Sequence, residues 1–334
     1  MIEYMFKQMK VDLPKDGAKL ISSYLKKSKS NRTYTDQDIT LLKNLAINES
    51  KLSQGVRADH SAKVDISKVG NGYFSSEDNA LLFINLGIKP ILEALPKNLN
   101  IVDFGGGNGY LLKKISTYIK NKGYYLSELV VDANPTYLKE AKELGLNTLE
   151  ADISSVQIED KNLIFMRSVN HYNSLNIQVS ILNNVYRSLK VRGYLISQVL
   201  SGFTHDCEII SSLMNHPHLG RAKSSNDFHI TSAEEYKDIL KDAGFRNIKI
   251  VGHAPTTVWT PEENLWLRFN KSKRDLYIKE NDLESLSKLD LKHNIFINDA
   301  NEAIKNNQND TRFVETDDGS HFIDLQFPII IAQK

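Results

Sequence analysis

The stretch Ile101-Val102-Asp103-Phe104-Gly105-Gly106-Gly107-Asn108-Gly109 decides how this chain reads. It runs from an apolar strand into a glycine-rich turn, and Tyr110–Ile119 after it reads as a helix. Glycines there permit positive φ and let a ligand come close to the backbone. Spacing separates the candidate ligands. A dinucleotide fingerprint needs glycine at the first, third and sixth positions. Counted from Gly105 the sixth is Tyr110, and counted from Gly107 it is Leu112, so that template fails. The Gly-Lys-Ser/Thr of a phosphate-binding loop is absent as well. What stands is an acid, Asp103, one spacer, then Gly-x-Gly-x-Gly.

Working outward, strands and helices alternate. Leu129–Val131 reads as a second strand ending at Asp132, and Asn134 with Pro135 has cap and first-turn chemistry. Leu138, Ala141 and Leu144 give that helix one apolar face, and Gly145 ends it. Asn147–Leu149 and Leu163–Met166 follow as strands. Ile181, Leu182, Val185 and Leu189 form a helix face, and Tyr194–Leu200 is a fifth strand. Thr231 with Glu234 is expected to cap a helix ending at Gly244, before a sixth strand at Asn247–Val251. Such alternation implies a mostly parallel sheet covered on both faces, an α/β Rossmann-like architecture. Phe322–Ala332 reads as a seventh strand. It arrives without a crossover helix, so it is expected to pair antiparallel with the sixth.

The flanks read as helical. Leu41, Leu42, Leu45 and Ala46 recur at helical spacing, Asn48–Asn71 is a polar connector, and Ser75 with Asp78 resembles a capping box before Ala80–Leu86. Gly87 and Pro90 punctuate that helix and Ile91–Leu95 resumes it. A strong helix start at Thr260, Pro261 and Glu263 opens the segment between the last two strands. The expected division is a helical N-terminal cap region over 1–95, a core over 96–252, a helical insertion over 253–320 and a final core strand over 321–334.

Composition bounds the function. Hydrophobic residues make up 41% and charged residues 25% of the 334, which excludes wholesale disorder. A net charge of +1 gives no global attraction to nucleic acid or anionic lipid. One cysteine, Cys207, excludes an internal disulfide and a multi-cysteine metal site. No targeting segment or membrane-length apolar run is visible, so the expected setting is cytoplasmic, with no membrane partner.

The acid and glycine pattern resembles motif I of the class I S-adenosylmethionine-dependent methyltransferases. The resemblance implies S-adenosyl-L-methionine as cofactor, held without any phosphate. Asp103, Gly105 and Gly107 would lie beside its methionine part. Asp132, with Ala133, stands where the family's acid accepts both ribose hydroxyls, although a helix-capping role for Asp132 fits the sequence equally. Asp152 and Ile153, after the third strand, look like the adenine-contacting segment, and Asp152 alone also reads as a solvated turn acid. Arg167 and Ser168 stand where the family places residues between cofactor and substrate. Tyr73 sits where related enzymes have an aromatic residue over the cofactor, and reads equally as helix packing.

The same resemblance implies methyl transfer by direct displacement, in which a base is needed only if the nucleophile must lose a proton. His171, just past the fourth strand, is the candidate base, and a purely orienting role stays open beside it. His205, with Asp206, is a second candidate. His216-Pro217-His218 lacks a third ligand and reads as a surface loop; His171 with Gln198 is a conceivable ligand pair, but no metal is expected. The Asn/Asp-Pro-Pro-Tyr signature of many amino-methylating enzymes is absent after the fourth strand. The aromatic-rich insertion, with Trp259, Trp266, Phe269 and Tyr277, suits a small-molecule methyl acceptor under a cap, or alternatively fills a core. A protein or RNA acceptor and a non-catalytic binding module are the competing readings. A homodimer is compatible with the sequence.

Overall fold

The computed structural model describes residues 77–202, 204–221, 227–259, 262–307, 314–315 and 321–334. The expected N-terminal helices, the capping box at Ser75 and the aromatic Tyr73 lie outside them. The described chain opens with α1 (Glu77–Phe83), which continues as a π-turn over Ile84–Ile88. Then come β1 (Asn98–Phe104), α2 (Tyr110–Lys120), β2 (Tyr125–Asp132), α3 (Pro135–Glu143), β3 (Asn147–Glu150) and β4 (Lys161–Arg167). These are followed by α4 (Leu175–Ser188), β5 (Leu189–Gln198), α5 (Thr204–Met214), α6 (Ala233–Asp242) and β6 (Arg246–Trp259). The helical pair α7 (Glu262–Glu280) and α8 (Leu283–Asn306), the two-residue β7 (Val314–Glu315) and β8 (His321–Gln333) complete the order.

One sheet organises these elements, with strand order β3-β2-β1-β4-β5-β8-β6 and β7 alongside β8. The pairs among β1 to β5 are parallel. β8 inserts between β5 and β6 and runs antiparallel to both. The expected seven-stranded, mostly parallel Rossmann-like sheet with an antiparallel last strand is therefore present. Strand alternation sends Leu99, Ile101 and Phe165 into one apolar layer with α1, α2, α5, α7 and α8, and Val102, Phe104 and Ile164 into a second layer with α4 and α6.

Local chemistry explains the boundaries that position the site. Gly109, at φ 75°, is the left-handed N-cap of α2. Asn134 Oδ1 accepts the Thr136 N–H at 2.9 Å, and Pro135 occupies the first turn of α3, as its sequence demands. Several expectations are corrected. The cap of α6 is Ser232, whose Oγ accepts the Glu235 N–H at 3.2 Å, one residue beyond the expected Thr231. Gly87 does not stop its helix but lies inside the π-turn, where an added Cβ would stand 2.7 Å from Ile196. Only a short 3-10 turn, Leu92–Ala94, follows Pro90. β5 starts at Leu189, because Lys161 pairs with Leu189 across an irregularity before the regular ladder at Leu163–Tyr194. β6 continues to Trp259, its register with β8 shifting three times, so the inserted helices begin at Glu262.

Candidate active site

The carboxyl ends of β1, β2, β3, β4 and β5 meet on one rim of the sheet, where ligands bind in open α/β folds. At the end of β1 the glycine turn is held by packing and by charge. A Cβ at Gly105 would lie 2.7 Å from Val169, and one at Gly106 would lie 2.7 Å from the Asp103 carboxyl carbon. Gly107 differs. It has φ 54°, and its nearest neighbour to an added Cβ is Tyr137 at 4.0 Å. Its glycine therefore answers to backbone conformation, and among the described residues its outer side is open to an approaching molecule.

Asp132, at the end of β2, fastens this turn. Its Oδ2 accepts the Gly107 N–H at 2.9 Å and its Oδ1 accepts the Asn134 N–H at 2.8 Å. The helix cap itself is Asn134, and Asp132 holds that residue's N–H together with the Gly107 N–H. It braces the entry to α3, and a carboxylate is the acceptor type that a vicinal diol requires. Ala133 beside it is exposed. Asp152 is exposed and accepts the Ser154 N–H at 2.8 Å, so it closes its own turn at the far end of the rim. Ile153 packs against the second apolar layer.

Asp103 lies beneath the glycines and is 2% exposed. Burial pushes its carboxyl up to about 7; the Arg167 guanidinium pulls it down and the Asp132 carboxylate adds to the rise. Arg167, at the end of β4, stands in register with Gln198 at the end of β5. The next residue, Ser168, has φ 57° and donates its N–H to the Gln198 carbonyl at 2.9 Å. A non-glycine residue in the left-handed region at a strand end is a frequent mark of a functional rim.

His171 lies in the 3-10 turn Asn170–Tyr172 that follows β4 and is 5% exposed. Its ring sits 4.3 Å from Tyr172 and 5.4 Å, edge-on, from Phe228. Its carbonyl accepts the His229 N–H at 3.1 Å. Phe228 is itself clamped: its N–H donates to Asn215 Oδ1 and its carbonyl accepts from Asn215 Nδ2, both at 2.7 Å. Arg221 donates to the same Asn215 Oδ1 at 3.0 Å and lies 5.4 Å from the Phe228 ring. Asn170, beside His171, donates from Nδ2 to the buried Tyr236 hydroxyl at 3.2 Å. Phe228, Asn215, Arg221 and Tyr236 were missed from the sequence, because nothing in their spacing ties them to β4.

His205 stands apart from this cluster. It occupies the exposed first turn of α5 and pairs with Glu208 at 3.1 Å, while its neighbour Asp206 is buried. Between α5 and α6 a cavity of about 460 Å³ is lined by residues including Cys207, Glu208, His229, Glu235 and Asp238. None of the glycine-turn residues lines it, so it is distinct from the rim above β1 and β2. The inserted helices pack against the segment that follows β5. Trp266 of α7 is buried and donates to the His218 carbonyl at 3.3 Å; Phe296 of α8 is buried against His216, whose Nε2 meets Asp299 at 3.0 Å. Trp266 is thus a core aromatic, and His216 serves docking of α8. Among the described residues no cluster of three or more potential metal ligands occurs, and no helix is long and apolar enough to cross a membrane.

The strand order and the rim resemble those of class I methyltransferases. Residues 88–246 match the family model described as an O-methyltransferase domain. A curated protein of Schizosaccharomyces pombe, an uncharacterized methyltransferase, is 22% identical over 180 residues, which span 50% of this chain and 66% of that protein, just under two thirds of its length. Among solved structures, the YcgJ protein of Bacillus subtilis aligns with a TM-score of 0.51 and 15% identity, over 75% of this chain and 97% of that one. The Haemonchus contortus phosphoethanolamine N-methyltransferase 2, in complex with phosphomonomethylethanolamine and S-adenosylhomocysteine, aligns at 0.45 and 13% identity, over 86% of this chain and 60% of that one. Residues 88–246 therefore match a methyltransferase domain, and the resemblance to the class I S-adenosylmethionine-dependent methyltransferases is borne out.

Proposed function

We propose that this protein is an S-adenosylmethionine-dependent methyltransferase acting on a small-molecule acceptor. The observation that carries the reading is the Asp132–Gly107 bond. It fixes an open glycine turn and an ionisable acceptor side by side at the ends of β1 and β2. The residues present fit the cofactor. Buried Asp103 faces a cation well, Gly107 leaves room for close approach, and the Asp132 carboxylate is the acceptor type that a diol requires. When bound, S-adenosylmethionine supplies an electrophilic methyl on a sulfonium whose departure leaves a neutral thioether. Asp103 and Arg167 would hold the amino-acid end, and Asp132 the ribose. Asp152 and Ile153 would flank the adenine.

His171 is our candidate base. The aromatic clamp of Tyr172 and Phe228 fixes its ring at the end of β4, on the acceptor side of the glycine turn. There it would take the proton that a hydroxyl or amine acceptor loses as its new bond to carbon forms. Most of the acceleration would come from alignment. The inserted helices, docked on α5, would close the acceptor side. Titration calorimetry with S-adenosylmethionine and S-adenosylhomocysteine tests the reading: saturable one-site binding is expected, and no binding would overturn it.

A further inference from the structure

We propose that Gln198 is the acceptor-recognising residue of this site, and that the acceptor is a small molecule donating a hydroxyl or amine hydrogen bond to it beyond the group that is methylated. The inference rests on the methyltransferase reading. Gln198 is 3% exposed, yet its side-chain Oε1 has no hydrogen-bond partner among the described residues. A buried amide oxygen left unsatisfied is costly, and native proteins retain few of them. Here the deficit is concentrated. The hydroxyl oxygens of Ser168 and Ser201 and the amide oxygen of Asn170 are also buried without partners among the described residues. All four groups stand at the carboxyl ends of β4 and β5 or in the turns that follow them. Oxygens unsatisfied together on a ligand-binding rim point to a ligand that satisfies them.

Position selects the acceptor over the cofactor as that ligand. The glycine turn and Asp132 stand on β1 and β2, and the strand order continues from them to β3 on one side. β5 lies on the other side of β1, beyond β4. With neighbouring strands about 4.8 Å apart, Gln198 stands roughly 10 Å from β1, on the side away from the cofactor's run. Alternation along β4 and β5 puts Arg167 and Gln198, which are register partners, on the same face of the sheet as Asp103. The backbone bond from Ser168 to Gln198 fixes both strand ends. An oxygen held this way discriminates sharply, because an acceptor lacking the complementary donor leaves it unpaired.

The test uses the full chain with S-adenosylmethionine and matched acceptor pairs: catechol and phenol, tyramine and phenethylamine, ethanolamine and ethylamine. S-adenosylhomocysteine release is measured. The parent is expected to prefer at least one donor-bearing member by tenfold or more in kcat/KM. Gln198→Leu and Gln198→Met should each abolish that preference while calorimetric affinity for S-adenosylhomocysteine stays within twofold. Gln198→Glu, which keeps acceptor oxygens, should retain it. The proposal is overturned if cofactor-binding protein turns over no member of any pair, if the parent shows no preference, or if the preference survives in both apolar variants, as it would were an ordered water the partner of Gln198. A parent that binds no cofactor overturns instead the methyltransferase reading on which the proposal stands.

Discussion

Asp132 and Gly107 are joined by a 2.9 Å hydrogen bond from the glycine N–H to Oδ2, across the gap between the ends of β2 and β1. The same carboxylate that would bind the ribose therefore shapes the turn that would receive the methionine. Asp132→Ala should lower cofactor affinity by about 1.5–3 kcal/mol, the range for hydrogen bonds to charged groups. Asp132→Asn keeps one acceptor oxygen and should lose less. Calorimetry on the two variants measures the difference, and equal affinity in parent and Ala variant would remove Asp132 from the site.

Gly107 separates conformation from access. Among the described residues an added methyl meets nothing closer than Tyr137 at 4.0 Å, so the stability cost of Gly107→Ala comes from its φ of 54°. That cost should be about 1–2 kcal/mol in chemical denaturation. Cofactor binding should fall by much more, at least tenfold, because the methyl occupies the open side of the turn. Gly105→Ala differs, since its methyl collides with Val169 and should destabilise the fold itself.

His171→Ala should lower turnover about a hundredfold or more and leave cofactor affinity nearly unchanged. The rate–pH profile of the parent should carry a limb in the histidine range that the variant lacks. If the limb persists, the ring's role is structural, as its packing on Tyr172 and Phe228 would also permit.

Asp103 titrates near 7 when folded, against an ordinary 3.8. Between those values the folded state holds a proton that the unfolded chain has released. Stability therefore declines as pH rises from about 4 to about 7, by on the order of 2–4 kcal/mol from this group, and the loss is complete above that range. Asp103→Asn should flatten this slope in thermal denaturation between pH 4 and 8. Affinity for the cationic cofactor should move the other way in the parent, rising with pH as Asp103 ionises, and should lose that rise in Asp103→Asn. Calorimetry at pH 6 and 8 reads the effect.

The sequence carried the glycine turn, Asp132 and the Asn134-Pro135 cap, because each depends on neighbours close in the chain. It carried β1 to β4 and β8 as apolar runs for the same reason. The early start of β5 was hidden, since Leu189 reads as the last residue of a helix face until Lys161 pairs with it. The reach of β6 to Trp259 was hidden too, because its second half, from His253 to Val258, is held by β8 and not by its own pattern. The clamp on His171 was illegible: Phe228 lies far along the chain, and only the return of the segment after α5, held by Asn215 and Arg221, brings it to the ring. Gln198 was legible only as a conceivable metal ligand beside His171, since its buried oxygen depends on how the ends of β4 and β5 pack.

β8 fills the slot between β5 and β6, and the chain joins residues as far apart as Lys334 and Leu189, whose Nζ–carbonyl bond spans 145 positions. Such wide loop closure is slow. Until β8 arrives, β5 stands as an open edge bearing Leu195 and Ile196, both of them buried in the finished sheet. During synthesis, that edge is exposed while α5 through α8 emerge from the ribosome. The protein's yield in a cell should thus depend on how well this waiting strand is shielded from pairing with another chain.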